Sequence, residues 1–152
     1  MNLTADIAHL DRLLAGMPPV AALGLRVQSL DDAALKLAAP LALNVNDKGC
    51  AFGGSLASLL TLAAWGALET TLRRAGIDAD VYVADSRIVY AAPLYADLIA
   101  EAALPDAHAL AALRSKLDRR GRGGIELRAE ARCPEGRVVA TLEGRYAAVL
   151  RR

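Results

Sequence analysis

The chain has 152 residues, 55% of them apolar, and a net charge of +1. A chain of this length forms one domain and can bury roughly 70% of the surface its unfolded form exposes, without disulfide or metal staples. The balanced charge gives no basic field and argues against a nucleic-acid partner, and two distant cysteines, Cys50 and Cys133, in no metal-ligand spacing point to a reduced, cytoplasmic protein.

The first segment, MNLTADIAHLDRLLAG, carries Asp6 and Asp11 within its apolar stretch and lacks the basic start of a signal peptide. Ile7, Leu10 and Leu14 at helical spacing predict an amphipathic helix over Thr4–Ala15, stopped by Gly16. Met17-Pro18-Pro19 then reads as a break. Weak alternation from Leu23 to Ala39 around Asp31-Asp32 predicts a hairpin of two short strands.

The segment NVNDKGCAFGGSL, Asn44 to Leu56, precedes a helix predicted over Gly54–Arg74, about 30 Å long at 1.5 Å per residue. No charge occurs from Gly49 to Leu68, yet four Gly, two Ser and a Thr keep this stretch below the hydropathy of a membrane span. A helix apolar on nearly every face is a buried core helix and needs a wrapper. Arg73 and Arg74 suit the negative end of its dipole, and Gly76 ends it.

The wrapper follows. Val81–Ala92 is rich in Val, Ile and Tyr, Pro93 interrupts it, and Tyr95–Leu104 continues as a further strand. Asp106 is placed to cap a short helix reaching about Leu117. Beyond the GRGG stretch, Ile125, Leu127, Ala129, Ala131 and Cys133 alternate with Glu126, Arg128, Glu130 and Arg132. Pro134-Glu135-Gly136 makes a turn, and Val138–Val149 returns with Ala140, Leu142 and Tyr146 on one face and Thr141, Glu143 and Arg145 on the other. This pattern describes a half-solvated antiparallel sheet around one helix, an α+β fold.

The motif N-x-N-x-x-G-x-A-F-G-G-S (Asn44, Asn46, Gly49, Ala51, Phe52, Gly53, Gly54, Ser55) resembles the thioesterase-like domain at the C-terminus of YiiD-type proteins, which has the hotdog fold. The later A-D-S-x-I-x-Y-x-x-P (Ala84, Asp85, Ser86, Ile88, Tyr90, Pro93), the G-R-G-G-I-E-L run and Gly144-Arg145-Tyr146 fit the same family. The resemblance covers nearly the whole chain, read as one hotdog domain over residues 1–152. It implies a curved antiparallel sheet wrapped around a long helix, and a homodimer, or a dimer of dimers, joined through sheet edges with active sites at the interface. It also implies a thioester substrate, acyl-CoA or an acyl carrier, and no cofactor beyond the coenzyme A that is part of that substrate. The acetyltransferase domain of YiiD-type proteins has no room in this chain.

Thioester hydrolysis needs a polarised carbonyl and an activated water. Backbone N–H groups in the Gly53–Gly54 turn, at a helix N-terminus, are placed to form an oxyanion hole, although the glycines equally serve a tight turn. In related hotdog thioesterases a carboxylate stands eight residues beyond the oxyanion glycine; here that count reaches Thr61 from Gly53 and Leu62 from Gly54. Neither is a base at neutral pH. Thr61 holds a water by hydrogen bonds, or satisfies itself on the backbone. Asp85, in the middle of an apolar strand, is a candidate base or binding group, with an ion pair to Arg87 on the same face as the rival reading. Asn46 orients a water or the thioester, or closes an Asx turn. Asn44, Asp47, Phe52 and Ser55 are candidates for substrate contact, Asp47 being equally a solvated turn residue.

The run RSKLDRRGR sets five basic residues against one Asp, so Arg119, Arg120 and Arg122 are candidates for the phosphates of CoA, or for a solvated helix end. Glu69, far along the helix, reads as structural. No His stands at partner spacing to Cys50, which argues against a cysteine nucleophile and, by resemblance to other hotdog enzymes, against a dehydratase. No metal-ligand cluster is present. The expected activity is acyl thioester hydrolysis. The rival is a non-catalytic acyl-CoA or lipid-ligand binding protein, kept alive by the missing helix carboxylate.

Overall fold

The long apolar segment folds as one helix, α3 (Gly53–Arg74), and everything else is arranged around it. The computed structural model describes residues Met1–Arg152. Leu59, Leu60, Ala63, Ala64, Ala67 and Leu68 are fully buried, as the absence of charge over four turns requires. No helix is long and apolar enough to cross a membrane.

The wrapper is a six-stranded sheet with every neighbouring pair antiparallel. Its strands are β1 (Arg26–Leu30), β2 (Ala34–Ala39), β3 (Ala79–Tyr90), β4 (Leu98–Ala103), β5 (Arg122–Arg132) and β6 (Val138–Leu150), in spatial order β1-β2-β4-β5-β6-β3. This is the α+β hotdog arrangement. The predicted alternation holds along most of both strands: Leu127, Ala129 and Ala131 of β5, and Ala140, Leu142 and Tyr146 of β6, enter the core, and it breaks at the start of β6, where Val139 is buried beside Ala140. Each buried Leu side chain contributes about 1.5–3 kcal/mol relative to exposure, and α3 supplies Leu56, Leu59, Leu60, Leu68 and Leu72 to a core that the sheet and the other helices complete. Gly66 lets the helix lie close to the sheet, since a Cβ there would stand 2.7 Å from Leu35 Cδ2 of β2.

Three shorter helices complete the chain. In α1 (Leu3–Ala15), Asn2 caps the start by accepting from the Ala5 N–H, and Leu10 and Leu14 are buried. Asp6, also buried, pairs with Arg74 at 2.9 Å and Arg73 at 3.3 Å, so these arginines tie α1 to the end of α3 as well as meeting its dipole. Pro18 and Pro19 begin a short helix, α2 (Pro18–Ala21), where a break was expected. Proline is compatible with a first helical turn because its missing N–H has no partner there in any case. The Asp106 carboxylate accepts from the Ala109 N–H at 2.8 Å and starts α4 (Ala107–Arg120), three residues longer than predicted, which Gly121 ends at φ +71°. The strand after it also begins earlier than expected and takes in Gly123 and Gly124.

β1 and β3 are the sheet edges. Strand β3 is twelve residues long, paired only with β6, and leaves Tyr82, Val83, Val89 and Tyr90 43–57% exposed.

Candidate functional site

The loop from Asn44 to Phe52 is built from its own polar atoms. The buried Asn44 amide donates to the carbonyls of Leu23 and Pro40 at 2.9 and 2.8 Å, and its backbone carbonyl accepts from the Phe52 N–H at 2.7 Å. Asn46 accepts through Oδ1 from the N–H groups of Lys48 and Cys50, and its Nδ2 lies 3.2 Å from Cys50 Sγ. This is the Asx turn, and it commits both ends of the Asn46 side chain to closing the loop. Asp47 points to solvent and pairs with Lys48. Cys50 is buried beneath the turn.

The loop delivers the chain to the first turn of α3. Phe52 is the N-cap residue and makes no side-chain cap bond. The N–H groups of Gly53, Gly54 and Ser55 have no acceptor within the protein, and the first helical N–H to find one is that of Leu56, on the Phe52 carbonyl. Three donors at the positive end of the helix dipole therefore point out of the same turn. The half-exposed Phe52 ring folds over Gly54, where a Cβ would stand 2.5 Å from Cε1, while Ser55 turns inward and is buried.

A pocket of ≈ 270 Å³ opens beside this turn, between Gly53 and Leu56 of α3 and the segment Tyr90–Leu94. Tyr90 donates its phenol proton to the Gly53 carbonyl at 3.2 Å, and Ala51 donates its N–H to the Leu94 carbonyl at 2.8 Å, so both walls are fixed to the loop. The lining holds no carboxylate and no imidazole. Tyr90 and Leu94 were not among the candidate residues. Their signal was the Y-x-x-P at the end of the second motif, which reads as a strand terminus until the fold lays it on α3.

Away from this turn, α3 keeps a half-exposed stripe that includes Ala57, Ser58, Thr61 and Trp65, on a helix expected to be buried all round. Ser58 donates to the Gly54 carbonyl. The Thr61 hydroxyl makes no bond in the chain, whereas its backbone carbonyl accepts from the Tyr146 hydroxyl at 2.9 Å. Burial holds the Tyr146 phenol above its ordinary pKa, so this donor keeps its proton. Thr61 lies about 12 Å along the helix from Gly53.

Asp85 is not brought to the Gly53 turn. It stands opposite Arg145 on β6, pairs with that residue at 3.1 Å, and has a side chain 67% exposed. The β3 residues on the core side are Val81, Val83, Ser86, Ile88 and Tyr90, opposite the buried face of β6; Asp85 and Arg87 face outward. The reading of Asp85 as a costly charge within an apolar strand is corrected by the edge position of β3, where one face is open to water. The intrastrand pair with Arg87 is likewise replaced by a cross-strand pair with Arg145, because directly opposed residues lie closer than alternate ones on one strand. Arg87 makes no ion pair in the chain.

Arg119, Arg120 and Arg122 are at the other end of the molecule. Arg122 is opposite Val149 of β6, while Tyr90 is opposite Ala140, a separation of about 30 Å along the strand. Arg120 and Arg122 share a basic corner with Arg151 and Arg152. Glu69 pairs with His9 at 3.3 Å, in keeping with its structural reading. No three His, Cys, Asp or Glu side chains come close enough to hold a metal ion.

A family model described as "Putative thioesterase (yiiD_Cterm)" matches residues 8–150. A search of curated proteins gave no match. The crystal structure of a Chlorobaculum tepidum protein of unknown function superposes with a TM-score of 0.93 at 28% identity, covering 98% of this chain and 97% of that one. A Shewanella oneidensis protein described as a putative thioesterase follows at TM-score 0.86 and 26% identity, over 96% and 99% of the two chains. A Haemophilus influenzae thioesterase, at 13% identity and TM-score 0.71 over 95% and 90%, shares the fold.

Proposed function

The chain belongs to the YiiD-type thioesterase family, and from that premise we propose that it hydrolyses an acyl thioester, with acyl-CoA as the substrate class. The observation that carries this reading is the trio of unpaired N–H groups at Gly53, Gly54 and Ser55, beside a pocket with apolar walls. A thioester carbonyl oxygen set against them accepts hydrogen bonds that strengthen as it becomes an oxyanion. One such donor is worth about 2.7–4 kcal/mol in acyl transfer. Water adds to the carbonyl carbon, the C–S bond breaks, and the water proton leaves with the thiolate as free thiol. The acyl chain lies along Leu56, Ala92 and Leu94, and Tyr90 holds the turn in place.

The water-holding group comes from outside the chain's own pocket. Thr61 is too far from Gly53 to serve the same carbonyl, and Arg119, Arg120 and Arg122 are at the wrong end of the sheet. Both reach a substrate at Gly53 only from a second copy, so a homodimer joined through the exposed β3 edge is part of the proposal. Coenzyme A enters as part of the substrate.

One observation favours the second reading, a binding protein for acyl-CoA: the pocket lining has neither a carboxylate nor a histidine. Free-thiol release over acyl-CoAs of increasing chain length separates the two. Turnover supports the hydrolase. No turnover at any length, together with saturable binding of the esters, replaces it with the binder.

A further inference from the structure

The pocket beside Gly53 has walls that cannot spread. One wall is the segment Tyr90–Leu94, and hydrogen bonds hold it along its length. The N–H groups of Ala91 and Ala92 both donate to the Val139 carbonyl of β6, at 2.8 and 3.2 Å. The Leu94 carbonyl accepts from the Ala51 N–H at 2.8 Å, and the Tyr90 hydroxyl donates to the Gly53 carbonyl at 3.2 Å. Between these ties stands Pro93, whose ring fixes its φ. The inner end is closed by Ala51, Leu56 and Leu94, which are 6%, 4% and 1% exposed and belong to the core cluster. A close-packed core does not admit a longer ligand without losing contacts of its own.

A rigid blind pocket measures its ligand. The space between these walls is ≈ 270 Å³. A water molecule's share of liquid volume is about 30 Å³, and a methylene is about as large, so the pocket holds about nine such groups. The thioester carbonyl and sulfur occupy the Gly53 end, which leaves room for about six carbons. We infer that the site takes a short, unsubstituted acyl chain of about this length, with Ala92 and Leu94 setting the limit. The inference rests on the thioester reading above and adds the length of chain to it. Ala92 is the small side chain on the held wall, half-buried and packed against the core, so carbons added there are taken from the substrate. Leu94 is the large side chain at the blind end, so carbons removed there are given to it. No charged side chain lines the pocket, and a chain ending in a second carboxylate would bury an unpaired charge.

The test is the affinity of S-alkyl-CoA thioethers, which cannot be hydrolysed, measured by calorimetry from ethyl to dodecyl. Each methylene that enters the pocket should tighten binding about fourfold. The gain is expected to stop near hexyl. Ala92→Leu adds three carbons to the wall and should move that plateau to about propyl. Leu94→Ala opens the blind end and should move it to about nonyl. Leu94 is a core residue, so its variant is read only with a wild-type circular dichroism spectrum, and Ala92→Leu carries the test by itself otherwise. Affinity that climbs evenly to dodecyl overturns the inference, as does a plateau that Ala92→Leu leaves in place or a series with no gain at any length. Turnover is read separately, on the matching thioesters. A plateau near hexyl without turnover leaves the length limit standing and removes the hydrolase. Turnover with an even climb does the reverse.

Discussion

Tyr90, the last residue of β3, donates its hydroxyl to the carbonyl of Gly53, the first residue of α3, at 3.2 Å. The bond fixes the sheet edge to the turn whose N–H groups are free, and the ring forms one wall of the pocket. Tyr90→Phe keeps the wall and loses the tie. A hydrogen bond of this kind contributes about 0.5–1.5 kcal/mol, which corresponds to a roughly 2- to 12-fold fall in kcat/KM if the turn loses its aim. Melting should change little, because the tyrosine is half exposed. Steady-state kinetics of the variant on an acyl-CoA, beside its melting curve, checks both parts.

Substitution at the turn itself tests the oxyanion assignment. A Cβ at Gly53 would lie 3.6 Å from the Tyr90 ring, an ordinary contact, so Gly53→Val folds and puts its branches into the pocket mouth. A Cβ at Gly54 meets the Phe52 ring, which is half exposed and free to swing aside. Both variants are expected to melt near the wild type and to lose turnover by about 100-fold or more, the scale of losing one oxyanion donor. Retained activity in both would show that the glycines serve the turn alone.

How far the sequence could be read follows from where the information sits. Helix α3 was legible because a charge-free stretch of that length has one soluble solution, and β5 and β6 were legible because one wet face enforces strict alternation. Asp85 was misplaced for a related reason. Its neighbours Val81, Val83, Val89 and Tyr90 are apolar as those of a central strand are, but β3 is an edge, and the order β1-β2-β4-β5-β6-β3 is set by long-range pairing that no local pattern reports. The double proline misled because its restriction on φ is the same in a break and in a first helical turn. Tyr90 escaped notice as a wall of the site because its contact with Gly53 spans 37 residues of sequence.

Acid should loosen the β1–β2 turn. The Asp31 carboxylate accepts from the N–H groups of Ala33 and Ala34 at 2.7 and 2.8 Å. Those bonds, the one to Ala34 foremost, hold its pKa below the ordinary 3.8. A carboxyl depressed on folding stabilises the protein above its unfolded pKa, and that contribution disappears as pH falls through the folded value. Asp31→Ala should therefore lower the melting temperature at pH 7, and the gap from wild type should narrow as pH drops below 3.8. A gap that stays constant from pH 7 to pH 2 would mean the carboxylate charge has no part in the turn.

The buried phenol of Tyr146 provides the opposite test at high pH. It crosses from β6 to the Thr61 carbonyl at 2.9 Å and is the largest fully buried side chain. Tyr146→Phe preserves the packing and removes one hydrogen bond, about 0.5–1.5 kcal/mol, which lowers the melting temperature by roughly 1–6 °C for a chain of this size. Burial raises the phenol above its ordinary pKa of 10.0. A group raised on folding stabilises fully below its unfolded pKa and loses that contribution as pH climbs toward the folded one. The wild-type advantage over Tyr146→Phe should accordingly hold from pH 7 to pH 10 and shrink above it, because the unfolded chain then ionises a tyrosine that the folded chain keeps neutral. Thermal melts of both proteins between pH 7 and pH 11 measure this directly, and an advantage that persists undiminished at pH 11 would show that the tyrosine is not held neutral by the core.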